Sequence, residues 1–278
     1  MANDEVIEVV PMQTAMMIGN AEIDMQIATA HKYPRSVQRF KQNALTLATT
    51  DEHIAESMFY VLPRGGKTVE GPSVRLAEVV ATTWGNIRAE SDIAEIGDTH
   101  VTAIGSAIDL ESNTAARIRV KRRITGKDGR RFNDDMIGVV CNAAMSIAYR
   151  EAVFKIVPRA MFQSIYEEAK KTAVGSAATL TQRRDKAIEW FASQGVNKEK
   201  LFRKLEINGV EDIDLRCLEI LTGLKSAIKE GEITINAAFA FEEANTTTSA
   251  TDRVMAAFQS KKTASAEDVK FVSKEDVK

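Results

Sequence analysis

Cations recur at every second position from residue 117 onward. Arg117, Arg119, Lys121 and Arg123 alternate with Ala116, Ile118, Val120 and Ile124, and Arg122 is the one interruption. Successive strand residues face opposite sides. A strand here would therefore turn four cations to one face and a mostly apolar row to the other. Same-face neighbours would stand roughly 6.6 Å apart. Lys127, Arg130 and Arg131 continue the charge around a Gly126-Lys127-Asp128-Gly129 turn. Like charges in a row repel, and a partner bearing repeated negative charge relieves the repulsion. Phosphates do so with release of condensed counterions, and the planar guanidinium fork suits them. The alternative is a solvated sheet face charged for solubility. Such faces usually mix signs across strands, and the preceding strand offers only Asp109 and Glu111 near this end.

Other residues are candidates for the same surface. Arg150, Lys155 and Arg159 lie downstream, and Arg64, Lys67 and Arg75 upstream. Glu151 can pair with Lys155 at i,i+4, which gives that lysine a structural alternative. Phe132 and Tyr149 are base-stacking candidates, although core packing is the commoner fate of an aromatic ring. Pro63-Arg64-Gly65-Gly66-Lys67-Thr68 lacks the spacing of a nucleotide-binding phosphate loop and joins two strands. Asp134-Asp135 is an acid pair beside the basic stretch. Metal-dependent nuclease chemistry would need more converging carboxylates, and a helix N-terminus accounts for the pair. No Ser/His/Asp or Cys/His set announces a hydrolase. Two cysteines (Cys141, Cys217) and three scattered histidines (His31, His53, His100) argue against a zinc site. The sequence therefore implies no cofactor, no metal and no enzyme.

The elements that would position these residues are legible from periodicity and breakers. Residues 21–32 read as a short helix broken by Pro34, and Ser36 caps a second helix to about residue 49. A further helical turn or two covers 51–57. A hairpin spans 58–71 with Gly65-Gly66 as its turn. Pro72 suits the first turn of the next helix, which ends at Trp84-Gly85. Three strands follow at about 87–96, 100–110 and 115–125, joined by short turns as an antiparallel meander. Arg130 begins a return strand, so that 115–131 forms a basic hairpin. Asp134 or Asp135 would cap a long helix over about 136–157, apolar nearly all round and so buried on the sheet. The fold class is α+β: an antiparallel β-meander with a basic hairpin packed on a long helix, plus a small C-terminal helical module.

The organisation follows composition. Residues 1–20 read as a flexible arm, 21–174 as the α+β core, 182–241 as the helical module and 242–278 as a disordered tail with a transient helix at 252–259. The chain carries 278 residues and a net charge of −2. Residues 114–160 alone carry +7, so the remainder carries −9, an asymmetry expected where one surface holds a polyanion. No apolar run approaches the roughly 20 residues of a membrane span, and no signal peptide opens the chain. A cytoplasmic protein with reduced cysteines is expected.

Two stretches resemble segments of bacteriophage recombination proteins. One is Leu62-Pro63-Arg64-Gly65-Gly66-Lys67-Thr68-Val69-Glu70-Gly71-Pro72-Ser73-Val74-Arg75-Leu76-Ala77-Glu78. The other is Lys121-Arg122-Arg123-Ile124-Thr125-Gly126-Lys127-Asp128-Gly129-Arg130-Arg131-Phe132-Asn133-Asp134-Asp135-Met136. With the helix, meander and long-helix order, residues 35–172 resemble the core of the single-strand annealing proteins, the RecT/Redβ/Erf-like superfamily. The resemblance implies ATP-independent annealing in the bacterial host cytoplasm by a homo-oligomer, ring or filament. It implies single-stranded DNA in a basic groove and a C-terminal region that meets a phage exonuclease and host single-strand-binding protein. Three other functions stay open: a passive single-strand-binding protein, a metal-dependent nucleic-acid-processing enzyme, and a structural oligomer whose basic face meets an acidic protein.

Overall fold

The computed structural model describes residues 12–64, 67–126 and 128–240, with side chains from residue 21 onward except that of Arg64. The expected disordered tail, the first eleven residues of the expected arm and the Gly65-Gly66 turn lie outside the described residues. Helix α1 (Met12–Lys32) starts nine residues earlier than the periodicity suggests, so residues 12–20 are helix, not arm. Helices α2 (Val37–Ala48) and α3 (Glu52–Ser57) begin at Ser36 and Asp51, whose side chains accept hydrogen bonds from the Arg39 and Ile54 amides. Each cap satisfies an orphan donor of the first turn.

Strands β1 (Phe59–Arg64) and β2 (Lys67–Pro72) form an antiparallel pair. Pro72 closes β2, and the buried Ser73 caps α4 (Val74–Trp84) through the Leu76 amide. The helix thus starts after the proline because a hydroxyl at the cap satisfies a donor that proline cannot. Strands β3 (Ile87–Ile96), β4 (His100–Asp109) and β5 (Thr114–Arg123) form a separate antiparallel sheet in that order. The expected return strand after residue 129 is absent. A single bridge, Thr125 to Arg131, closes the turn, so β5 is an edge strand whose hairpin partner is β4.

Helix α5 (Asp134–Ile156) covers one face of this sheet. Asn133, not either aspartate, accepts the capping hydrogen bond from the Met136 amide. The helix has the length and hydropathy of a membrane span, contrary to expectation from the sequence, and half of its most apolar stretch is buried within the protein. It lies very close to the sheet at Gly105, where a β-carbon would strike the backbone of Ala148 and Tyr149. Val101, Ala103, Ile124, Ile137, Val140 and Ala144 fill the layer between helix and sheet.

Helix α6 (Arg159–Val174) packs against α2 and α3, and with α4 they share a core around Phe40, Phe59, Leu76 and Phe162. The remaining helices are α7 (Leu180–Ser193), α8 (Lys198–Leu205), α9 (Leu215–Lys229) and α10 (Ile235–Ala238). They share a cluster around Phe191, Leu201, Leu218 and Leu221. They are not set apart from the rest, because α9 lies along β1 with Gly223 against Val61. The described residues up to Phe239 form one compact unit.

Candidate nucleic-acid interface

On β5 the alternation expected from the sequence is realised. Arg117, Arg119, Lys121 and Arg123 are exposed, while Ala116, Ile118, Val120 and Arg122 are half-buried on the α5 side. None of the four exposed side chains makes an ion pair or hydrogen bond with the described residues. Across from them on β4 stand Ser106, Ile104, Thr102 and His100. This middle row carries no carboxylate. The two acids that could have neutralised the row are engaged elsewhere. Asp109 points to the helix side, buried between the Arg35 guanidinium and the Trp84 indole N–H, and Glu111 takes the Arg35 Nε at 2.8 Å. Arg35 and the Asn86 amide hold the Glu111 carboxyl below its ordinary range, against the opposing effect of desolvation.

The third strand supplies what the sequence reading missed. Glu90, Asp92 and Glu95 of β3 lie opposite Ser106, Ile104 and Thr102. The face therefore has three rungs, each running acid, neutral, base: Glu90–Ser106–Arg117, Asp92–Ile104–Arg119 and Glu95–Thr102–Lys121. Glu95 joins the acid row only because the register shifts between Ile93 and Glu95, a bulge re-aiming a side chain. The period-two run Glu90, Asp92 was the available sequence signal, but it needed the register of three strands to be given meaning. At about 4.8 Å per strand, acids and bases lie roughly 10 Å apart, near the screening length at 0.1 M salt. Within the three rungs each row thus keeps its own sign; Arg88, exposed on the same face of β3 opposite Ile108, stands one step outside them. A concavity of about 450 Å³ opens between them, lined by Glu90, Asp92, Ala94, Ile104, Ser106 and Arg117.

Several expected binding residues are committed elsewhere. Arg150 is buried, donates to Glu232 at 2.5 Å and lies 4.5 Å over the Tyr60 ring. On the α5 side of the sheet, Arg122 donates to the backbone carbonyls of Gly231 and Glu232. Both arginines thus fasten the loop after α9 to the sheet and helix, and neither faces outward with the row. Burial pushes the Glu232 carboxyl up, outweighing the nearby cations Arg150 and Arg122. Arg131 caps the β3–β4 turn through the carbonyls of Gly97 and Asp98. Arg75 is held by Glu78 and Glu230, each at 3.0 Å.

The rest scatter. Arg130 is exposed at the turn beyond β5, 3.7 Å from Asp128. Lys155 is exposed on α5, and Glu151 turns to Arg150 in place of pairing with it. Arg159 is exposed at the start of α6 and donates to Gln163. Helix α5 covers the sheet face opposite the row, so these two do not extend it. Phe132 packs against the Ile124 cluster, and Tyr149 is half-buried beside α4 in an open groove of about 590 Å³. Burial, with Glu78 nearby, pushes the Tyr149 hydroxyl up. Lys67 is exposed on the first hairpin. Lys127 and the Arg64 side chain lie outside the described residues.

Asp134 and Asp135 are exposed in the first turn of α5. Among the described residues no three His, Cys, Asp or Glu side chains converge. Cys141 is buried and Cys217 half-buried, both as free thiols. No family model, curated protein or solved structure gives a significant match to the chain.

Proposed function

We propose that this chain is an ATP-independent single-stranded-DNA-binding and annealing protein of phage-type homologous recombination. It self-associates in the bacterial cytoplasm and holds the DNA backbone along β5 of a sheet packed on the long helix α5. The observation that carries this reading is the uncompensated cation row Arg117, Arg119, Lys121 and Arg123 on an exposed sheet face. The six residue steps from Arg117 to Arg123 make it about 20 Å long, a linear feature suited to a linear polyanion. Phosphate contacts carry no sequence information, so binding is sequence-independent.

A second observation favours annealing over passive coating. Coating proteins commonly stack bases on aromatic platforms. Strands β3, β4 and β5 contain no Phe, Tyr or Trp, and their one aromatic ring is the His100 imidazole. A strand held only by its backbone keeps its base edges free for pairing. The resemblance of residues 35–172 to the RecT/Redβ/Erf-like proteins supports the same reading, together with an exonuclease and a host single-strand-binding protein as partners.

The test is annealing of complementary labelled oligonucleotides without nucleotide triphosphate or metal. The wild-type chain accelerates pairing, and R119E/K121E/R123E does not. If the triple variant anneals at the wild-type rate, β5 is not the interface. Cleavage of the oligonucleotides on adding Mg²⁺ or Mn²⁺ would replace this function with a nuclease.

A further inference from the structure

The row of acids on β3 is used by nothing in the proposed function, and it sits in register with the cations of β5. Both strands are edges of the three-stranded sheet. Each pairs antiparallel with β4, so β3 and β5 run in the same direction. Ten-residue edge strands with free backbone donors and acceptors are templates for pairing with another chain. Here charge decides which edges can meet. Two β5 edges would bring four cations against four, and two β3 edges would bring three acids against three, with Arg88 the one cation on that face of β3. Like charges directly opposite are destabilising. Of the three pairings, β5 against β3 is the one that sets all three acids beside cations.

We propose that β5 of one copy docks edge to edge against β3 of a second copy, as a parallel pair that continues the sheet. The geometry follows from the rungs. A sideways translation of one copy by the width of the sheet leaves both outer faces on the same side. It sets Arg117, Arg119 and Lys121 of one copy beside Glu90, Asp92 and Glu95 of the next, about 4.8 Å away in place of roughly 10 Å within one copy. The contact is heterologous: each copy offers two different edges, so addition continues into a filament or closes into a ring. The bulge at Ile93/Glu95 interrupts the new ladder while turning Glu95 toward the neighbour's cations. A net charge of −2 leaves little overall repulsion between copies.

This deepens the reading of the chain as a self-associating protein and rests on it. Because the same cations serve the proposed nucleic-acid contact, the edge contact and a bound strand compete for them.

The experiment uses two charge-swapped full-length chains, R117E/R119E/K121E and E90K/D92K/E95K, followed by sedimentation velocity at low and high salt. The wild type assembles at low salt and dissociates as salt rises. Each variant alone stays monomeric, since its two edges now share one sign. An equimolar mixture assembles again, because the acidic β5 of one variant meets the basic β3 of the other. Recovery in the mixture also shows that both variants are folded. The proposal is overturned if either variant alone assembles like the wild type, or if the mixture stays monomeric. A wild type that is monomeric throughout overturns the self-association reading with it. Oligonucleotide binding reports separately. E90K/D92K/E95K retains it as a monomer, whereas undiminished binding by R117E/R119E/K121E would remove the nucleic-acid reading and leave the edge contact standing.

Discussion

Replacing Gly105 by alanine tests the close approach of α5 to the sheet that carries the cation row. The added β-carbon would meet the carbonyl of Ala148 and the amide of Tyr149, which belong to helix backbone and cannot swing aside. Inserting one carbon into a filled core costs about 1–3 kcal/mol, and a rigid obstacle puts this site near the upper end. Reduced freedom of the unfolded chain returns roughly 0.5–1 kcal/mol, leaving a net loss of about 2 kcal/mol. For a unit of this size that corresponds to roughly 4–8 °C in Tm. Gly138 supplies a matched control, because it lies in α5 with nothing within 4 Å of its β-carbon position. Gly138→Ala should stabilise by about 1 kcal/mol through helix propensity alone. Urea and thermal unfolding followed by circular dichroism read both. Equal or greater stability of Gly105→Ala would refute the packing of α5 on β4.

Three further outcomes follow from the same contacts. Arg122→Gln should cost about 1–2 kcal/mol, because it releases two backbone carbonyls of the loop after α9, yet leave the salt dependence of oligonucleotide binding unchanged; a flattened salt slope would return Arg122 to the interface. Neutralising Arg119, Lys121 and Arg123 together should change the unfolding free energy of the monomer at high salt by no more than about 0.5 kcal/mol per residue, since these side chains are exposed and unpaired within one copy; a larger loss in urea titration would mean that the row is structural. Glu232 gives a pH test with a definite sign. Its folded-state carboxyl titrates above the ordinary value of 4.5, so the native state binds more protons than the unfolded state just above that value. Its contribution is fully present below the unfolded pKa and is lost as pH rises through the raised one. The stability of wild type relative to Glu232→Gln should therefore fall as pH is raised from about 4, and a difference that grows with pH would contradict the burial argument.

Much of this was legible along the chain wherever the cause was local. The alternation of Arg117, Arg119, Lys121 and Arg123 with apolar residues specifies a strand with one charged face, and the fold realises it. Ser36 and Asp51 cap the helices their types favour. What was not legible depended on distant partners. Arg150 looks like a free cation until Glu232, 82 residues later, is brought against it. Arg122 breaks the alternation of β5 because it serves the carbonyls of the loop at 231–232. The acids at 109 and 111 looked available to neutralise the row, yet Arg35 takes both. The acidic row of β3 was visible as residues but not as a row. Its meaning lies in the registers of β3 on β4 and β4 on β5, and Glu95 enters it only through a bulge. The return strand failed because Asn133 starts α5 almost at once, which leaves room for a single bridge.

The central claim is that four unpaired cations on β5 hold a single strand by its phosphates. Its most direct test is the salt dependence of binding to a labelled single-stranded oligonucleotide, measured by fluorescence anisotropy between 50 and 200 mM KCl (about a fourfold change, over which counterion release dominates). Four phosphate contacts give a slope of log K against log salt of about −2.8, or roughly fifty-fold weaker binding across that range. With Arg119, Lys121 and Arg123 replaced by glutamine, one contact remains, and the slope should fall to about −0.7, roughly a threefold change. A triple variant that keeps the wild-type slope would place the polyanion elsewhere on the protein and contradict the account.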